Sequence, residues 1–209
     1  MAGALNYNRY PFFDMSEIIQ ELEFGMTSKK ILKPLRKGEQ VPNFSFEKSN
    51  FRWQQFVNGV ERTTTINLLQ LLNKPLIIAF YSAQWQTHSL NLLLQLNRLN
   101  KDIKTANANI LIVSAEKEKA LENIVWNNSL SLSFYYDTEN VIAEKFGIFS
   151  DKDPVWDKFS GIDTNVPLLS TYVISSEGEI LFDYVDWDFS KDIPVEALIG
   201  SITGTRNIL

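Results

Sequence analysis

The single histidine of this 209-residue chain, His88, stands directly beside a serine, Ser89, and there is no cysteine anywhere. A serine hydroxyl next to an imidazole suggests acyl transfer, with the imidazole as general base. The spacing opposes it. If both lie on a helix, neighbours i and i+1 point about 100° apart and do not face each other. No G-x-S-x-G elbow surrounds Ser89. The simpler expectation is that Ser89 hydrogen-bonds within a first helical turn while His88 is a partly exposed polar residue. Zero cysteines remove disulfides, zinc–thiolate sites and thiol catalysis together. A metal site would therefore have to be nearly all oxygen. The one acidic cluster, "DYVDWDFSKD" from Asp183 to Asp192, alternates with aromatics and reads as a solvated loop. None of the nine glycines builds a phosphate-cradling loop. No metal and no cofactor is expected.

The segment that must position His88 and Ser89 is "KPLIIAFYSAQWQTHSL". Its first part is a compact apolar run without alternation, as in a strand covered on both faces. A helix follows from Thr87 to about Asn100, with Leu90, Leu92, Leu93, Leu94, Leu96 and Leu99 spread over more than one face. Tyr81, Trp85, Gln86, Thr87, His88 and Ser89 should therefore cluster where strand gives way to helix. Trp156 and Phe159, from the long loop between Ile148 and Asn165, are candidates to fold over them.

Elsewhere, "VPNFSF" reads as a short strand and "INLLQLLN" as a short amphipathic helix. Asn58-Gly59 is a hairpin signal. "ANILIVSAE" and "LSFYYD" are strands. "KEKALENIVWNNS" is a helix. "TENVIAEKFG" is another, with Val141, Ile142 and Phe146 inward and Gly147 just past its end. "LLSTYVISSEGEILFDYVD" is a hairpin turning at Ser176-Glu177-Gly178, and "IPVEALIGSI" is a closing helix with Pro194 in its first turn. The alternation of strands and helices needs a parallel crossover, and the hairpin adds antiparallel strands. The fold class is α/β: a mixed sheet flanked by helices, with a β-hairpin. Residues 1–40, including "DMSEIIQELEF" and the basic "SKKILKPLRKG", read as an N-terminal helical extension, and 41–209 as one domain.

With 44% hydrophobic and 22% charged residues the chain is globular. A net charge of −5 disfavours nucleic acid as partner. No apolar run nears the roughly 18 residues that span a bilayer, so no membrane association is expected, and no secretory signal opens the chain. The missing cysteines fit a reducing cytoplasm.

Taken in order from Val41 to Ile202, these pieces resemble the alkyl hydroperoxide reductase/thiol-specific antioxidant family, peroxiredoxin-like members of the thioredoxin fold. "GEQVPNFSF" resembles the family's first strand, and "KPLIIAFYSAQWQTHSLNLLLQL" resembles a segment that in one subgroup reads F-Y-R-x-x-W-C-P-x-C-N-x-x-L. "FYYDTENVIAEKFGI" and "STYVISSEGEILFDYVDWDFSKDIPVEAL" resemble the family's later strand–helix and hairpin–helix pieces. The resemblance implies a thioredoxin-like sheet, thiol peroxidase chemistry and a homodimer. It also places Gln86 and Ser89 at the two cysteine positions, Thr87 at the proline between them, and Leu169 where the subgroup has another proline. Serine cannot cycle through a sulfenic acid, so the peroxidase route is lost. Three roles stay open. The first is binding or assembly, with a protein or small-molecule ligand at the vestigial site. The second is service in an antioxidant pathway with a partner's cysteines, and the third is a different enzyme using the pocket. A cysteine placed at residue 89 would gain thiolate character from the helix N-terminus and lose it by burial. On position alone its pKa is expected below about 8.5.

Overall fold

A computed structural model describes residues 32–52, 65–116, 118–189 and 192–204. In chain order the strands and helices are β1 (Ser45–Glu47), β2 (Phe51–Arg52), β3 (Thr65–Asn67), α1 (Leu68–Leu71), β4 (Leu76–Phe80), α2 (Gln86–Thr105) and β5 (Asn109–Ser114). They continue as α3 (Glu118–Asn127), β6 (Ser133–Tyr136), α4 (Val141–Lys145), β7 (Ser170–Ile174), β8 (Ile180–Val185) and α5 (Val195–Thr203). The Asn58-Gly59 hairpin and residues 1–31 of the N-terminal extension lie outside the described residues.

The main sheet has six strands in the order β2-β6-β5-β4-β7-β8. β4 is parallel to β5, and β5 to β6, while β7 runs antiparallel to both β4 and β8. This is the mixed, thioredoxin-like α/β sheet that the sequence leads one to expect, and β1 and β3 form a separate antiparallel pair. All five residues of β4 are buried, as a strand with helices over both faces requires. On one face Phe80 and Tyr172 pack around Phe146, with ring centroids 4.9–5.1 Å from it. The other face is covered by α2, whose Leu92, Leu93, Leu96 and Ile103 are buried, and by α5, which packs on β7 and β8 through Leu198 and Ile202.

Local chemistry fixes the ends. Asn67 and Gln70 form a capping box on α1, with Asn67 Oδ1 accepting from the Leu69 N–H and Gln70 Oε1 from the Asn67 N–H at 2.9 Å. The buried Asp137 carboxylate accepts from the N–H groups of Ile142 and Ala143 and so anchors α4. Gly147 has φ +68, and a Cβ there would meet the Lys33 carbonyl oxygen at 2.0 Å, so only glycine fits this stop. Val141 differs from its expected inward setting. It is exposed while Ile142 and Phe146 are buried, because a helix of five residues can turn only one narrow stripe to the core. Pro194 caps α5 from just outside rather than from its first turn.

The stretch from Leu32 to Gln40 is extended with a turn at Lys37-Gly38, not helical. It docks on the end of α4 and on β8: the Leu35 N–H donates to the Phe146 carbonyl, and the Gly38 N–H to that of Ile180. The Arg36 guanidinium and the Lys37 N–H both reach the Asp183 carboxylate.

Candidate functional site at the junction of β4 and α2

Tyr81 continues the pairing of β4, its N–H donating to the Val113 carbonyl at 3.0 Å. The chain then breaks from the sheet at Ser82, whose Oγ accepts from the Gln84 N–H and donates to Glu116 Oε1 at 2.9 Å. The same Glu116 oxygen accepts from the Ala83 N–H at 2.7 Å. Glu116 thus fastens the loop after β5 to the single tight turn of Ala83–Trp85 that leads into α2. This arrangement puts Trp85 inward, only 3% exposed, with its indole N–H donating to the Pro167 carbonyl at 2.8 Å. Its ring lies 5.2 Å from Phe159 and 5.0 Å from Phe189.

Ser89 falls in the first turn of α2, as the onset of leucines at residue 90 suggests. It is 0% exposed, and its hydroxyl donates to the Gln86 carbonyl at 3.0 Å. The nearby Tyr81 phenol is pushed up to about 12 by burial and then by the charge of Glu116, with Ser89 pulling the other way. At neutral pH Tyr81 is therefore a donor, not a base. His88 points elsewhere: it is exposed, with its ring stacked at 4.7 Å on Phe189. The residue types of a serine–histidine pair are adjacent in sequence and separated in space. Ser89 has the environment of a structural hydroxyl.

The junction thus brings Tyr81, Trp85 and Ser89 together in the interior and leaves Gln86, Thr87 and His88 on the surface. Trp156 is 47% exposed on its loop, and it is Phe159 rather than Trp156 that touches Trp85. Two cavities flank the buried trio. One, of about 360 Å³, opens beside Tyr81, Gln84, Glu116, Asn140 and Pro167, at the carboxyl ends of the parallel strands. The other, of about 280 Å³, lies beside His88, Tyr184, Asp186, Phe189 and Asp192. Glu116, Asp186 and Phe189 were not legible as site residues in the sequence. Glu116 carries no local signal beyond following a strand, and the other two sit in what reads as a solvated acidic loop. Among the described residues no group of three or more His, Asp or Glu side chains is arranged to hold a metal ion.

The profile of the AhpC/TSA family matches residues 37–182. The chain belongs to the AhpC/TSA family. Solved structures agree on the fold. Mycobacterium tuberculosis AhpC aligns with a TM-score of 0.60 at 16% identity, covering 83% of this chain and 94% of that one. Enterococcus faecalis AhpC gives 0.60 at 14% identity, over 84% and 95%. The peroxidoxin BcpB of M. tuberculosis gives 0.57 at 15% identity, over 84% and 99%. Comparison with curated proteins gives no match. This AhpC/TSA chain has no cysteine, so the family's thiol redox chemistry has no reacting atom here.

Gln86 opens α2 with φ +49 and ψ −123, a conformation that L residues rarely adopt. Such a residue stores about 1–3 kcal/mol, and glycine adopts the conformation without it at an entropic cost of roughly 0.5–1 kcal/mol. Gln86→Gly is accordingly expected to stabilise the fold by about 1 kcal/mol, raising the melting temperature by roughly 2–4 °C. Thermal unfolding of the two proteins side by side checks it. A glycine variant that melts lower would mean the Gln86 side chain supplies more than the strain removes.

Proposed function

We propose that this AhpC/TSA chain acts by binding or assembly, on the surface where β4 meets α2, and not by thiol turnover. The observation that carries the reading is Ser89. It occupies the helical first turn, but its hydroxyl is buried and donates to the Gln86 carbonyl. A side chain bound into the core in this way holds the junction still. The ligand-facing residues are then Gln86, Thr87 and His88, with Trp85 and Phe189 behind them as a rigid aromatic backing, and Trp156 on the neighbouring loop. A rigid apolar base behind exposed polar groups suits a protein or small-molecule ligand.

Assembly into a homodimer belongs to the same reading. It draws on the family resemblance and on the wide exposure of Trp126, at 76%. The setting is a reducing cytoplasm, in keeping with a chain free of cysteine. Among the described residues no helix is long and apolar enough to cross a membrane.

One preparation tests the reading with two readouts. Metal-free purified protein, given hydrogen peroxide and a dithiol, is expected to turn over no faster than buffer. Light scattering across micromolar concentrations is expected to give a dimer mass. Robust dithiol-dependent turnover would overturn the redox half of the reading, and a monomer mass throughout would overturn assembly.

A further inference from the structure

We infer that the cavity at the carboxyl ends of β4, β5 and β6 binds a small neutral carboxamide carried on a flat apolar ring. This site is separate from the surface proposed above, since neither Gln86, Thr87 nor His88 lines it. Its position follows from topology. β4 pairs in parallel with β5, and β5 with β6, so the turns leaving the three strands lie at one end of the sheet. The crevice outside the carboxyl ends of such strands is the usual place for a ligand in an open α/β sheet. The volume, about 360 Å³, falls within the range of small-molecule sites, roughly 300–1,000 Å³.

The polar lining divides into groups already committed and groups left over. Ser82 donates to Glu116 Oε1, while Asn165 accepts from the Val155 N–H and donates to the Ser150 carbonyl. Gln84, Asn140 and Thr164 make no side-chain hydrogen bond to any described residue. They come from three separate segments, the turn after β4, the turn after β6 and the loop before β7, and all three line this one cavity. Gln84 and Asn140 are half-buried. Asn140 is the more telling of the two. It stands at the start of α4, where an asparagine commonly caps, yet its side chain makes no cap hydrogen bond. The buried Asp137 carboxylate takes the N–H groups of Ile142 and Ala143 instead. The Asn140 amide is left to the cavity.

Each of the two carboxamides offers an acceptor oxygen and N–H donors. A ligand that matches both carries a donor and an acceptor side by side, as another carboxamide does. A carboxylate lacks the donor and meets Glu116 as well, an ammonium lacks the acceptor, and an alcohol has only one hydrogen to donate. The remaining lining is apolar and mostly small: Ala115, Ala120, Val166 and Pro167, beside the Tyr81 ring. Two alanines leave room for a flat ring next to Tyr81.

The test titrates the full chain with benzamide, and with benzoate, benzylamine and benzyl alcohol as anion, cation and hydroxyl counterparts, by calorimetry and heteronuclear NMR. Benzamide is expected to saturate with a Kd of about 1 mM or tighter, and to shift the side-chain amide signals of Gln84 and Asn140. The three counterparts should bind at least several-fold more weakly. Gln84→Leu keeps the bulk of the side chain without its amide, and Asn140→Gly suits a φ of +55 without strain. Each should weaken benzamide by roughly three- to tenfold, the worth of one hydrogen bond or two. Gln95→Leu, on the other cavity, should leave its affinity unchanged. Circular dichroism checks that the variants are folded. A counterpart that binds as tightly as benzamide, unchanged affinity in either Gln84→Leu or Asn140→Gly, or no saturation by about 10 mM would each overturn the inference. None of these results bears on the peroxide and mass measurements above.

Discussion

Replacing Trp85 by alanine is expected to cost about 3–5 kcal/mol of folding stability. The ring is almost fully buried and packs against Phe159 and Phe189. Its loss therefore removes transfer free energy and leaves a cavity between the 148–165 loop and α2. It also leaves the Pro167 carbonyl, which now accepts the indole N–H at 2.8 Å, without that partner. A buried acceptor stripped of its donor costs roughly 1–3 kcal/mol. Against a total stability of about 5–15 kcal/mol, the variant should be marginal. Urea denaturation measures it, with the midpoint falling and the slope unchanged. Trp85→Phe keeps one aromatic ring in the cluster but loses the N–H and part of the ring volume, and should fall between alanine and the parent. A loss below about 1 kcal/mol for alanine would mean that the aromatic cluster is not part of the core and that the junction of β4 and α2 is open.

The strands and helices around this cluster are legible from local pattern because each has one strong signal. β4 is an unbroken apolar run, α2 begins where the leucines begin, and the β7–β8 hairpin turns at Gly178, where φ is +85. The site itself is less legible, for two reasons. Burial at a strand-to-helix junction depends on what the distant 148–165 and 186–193 segments do, and no local periodicity carries that. Phe189 illustrates this. It reads as one aromatic among acidic residues, yet a φ of +55 and the Asp186 carboxylate turn it back onto Trp85 and His88. Trp156 illustrates the converse. Its size suggests a lid, while the tight turn of Val155–Asp157 buries Val155 and leaves the indole largely outside. Glu116 shows the second reason. A single glutamate after a strand carries no pattern, and only the fold reveals that one of its oxygens holds both Ser82 and Ala83.

The depth of residue 89 also reverses the expectation for a cysteine placed there. A helix N-terminus favours a thiolate by typically 0.3–1 kcal/mol and by about 2 in favourable partly buried geometry. At about 1.36 kcal/mol per unit this lowers the thiol pKa by a fraction of a unit to somewhat more than one. Full burial acts in the opposite direction and reaches about 3–5 units. Residue 89 is fully buried, and the charge found near Tyr81 is the carboxylate of Glu116, which disfavours a second anion. Burial wins. Ser89→Cys should therefore give a thiol with a pKa above about 8.5 that is shielded from reagents. In the folded protein it should react with iodoacetamide on the order of a hundredfold more slowly than in the unfolded chain, because reaction needs both the thiolate and access.

The rate of Ser89→Cys alkylation as a function of pH, followed on the folded protein with peroxide turnover measured on the same sample, tests most directly whether this junction is now structural. The expected result is a half-maximal rate above pH 8.5, slow labelling throughout, and no dithiol-dependent loss of hydrogen peroxide. A thiol that titrates below that value, labels rapidly and restores turnover would contradict the account. It would show an intact peroxidase site that lacks only its sulfur.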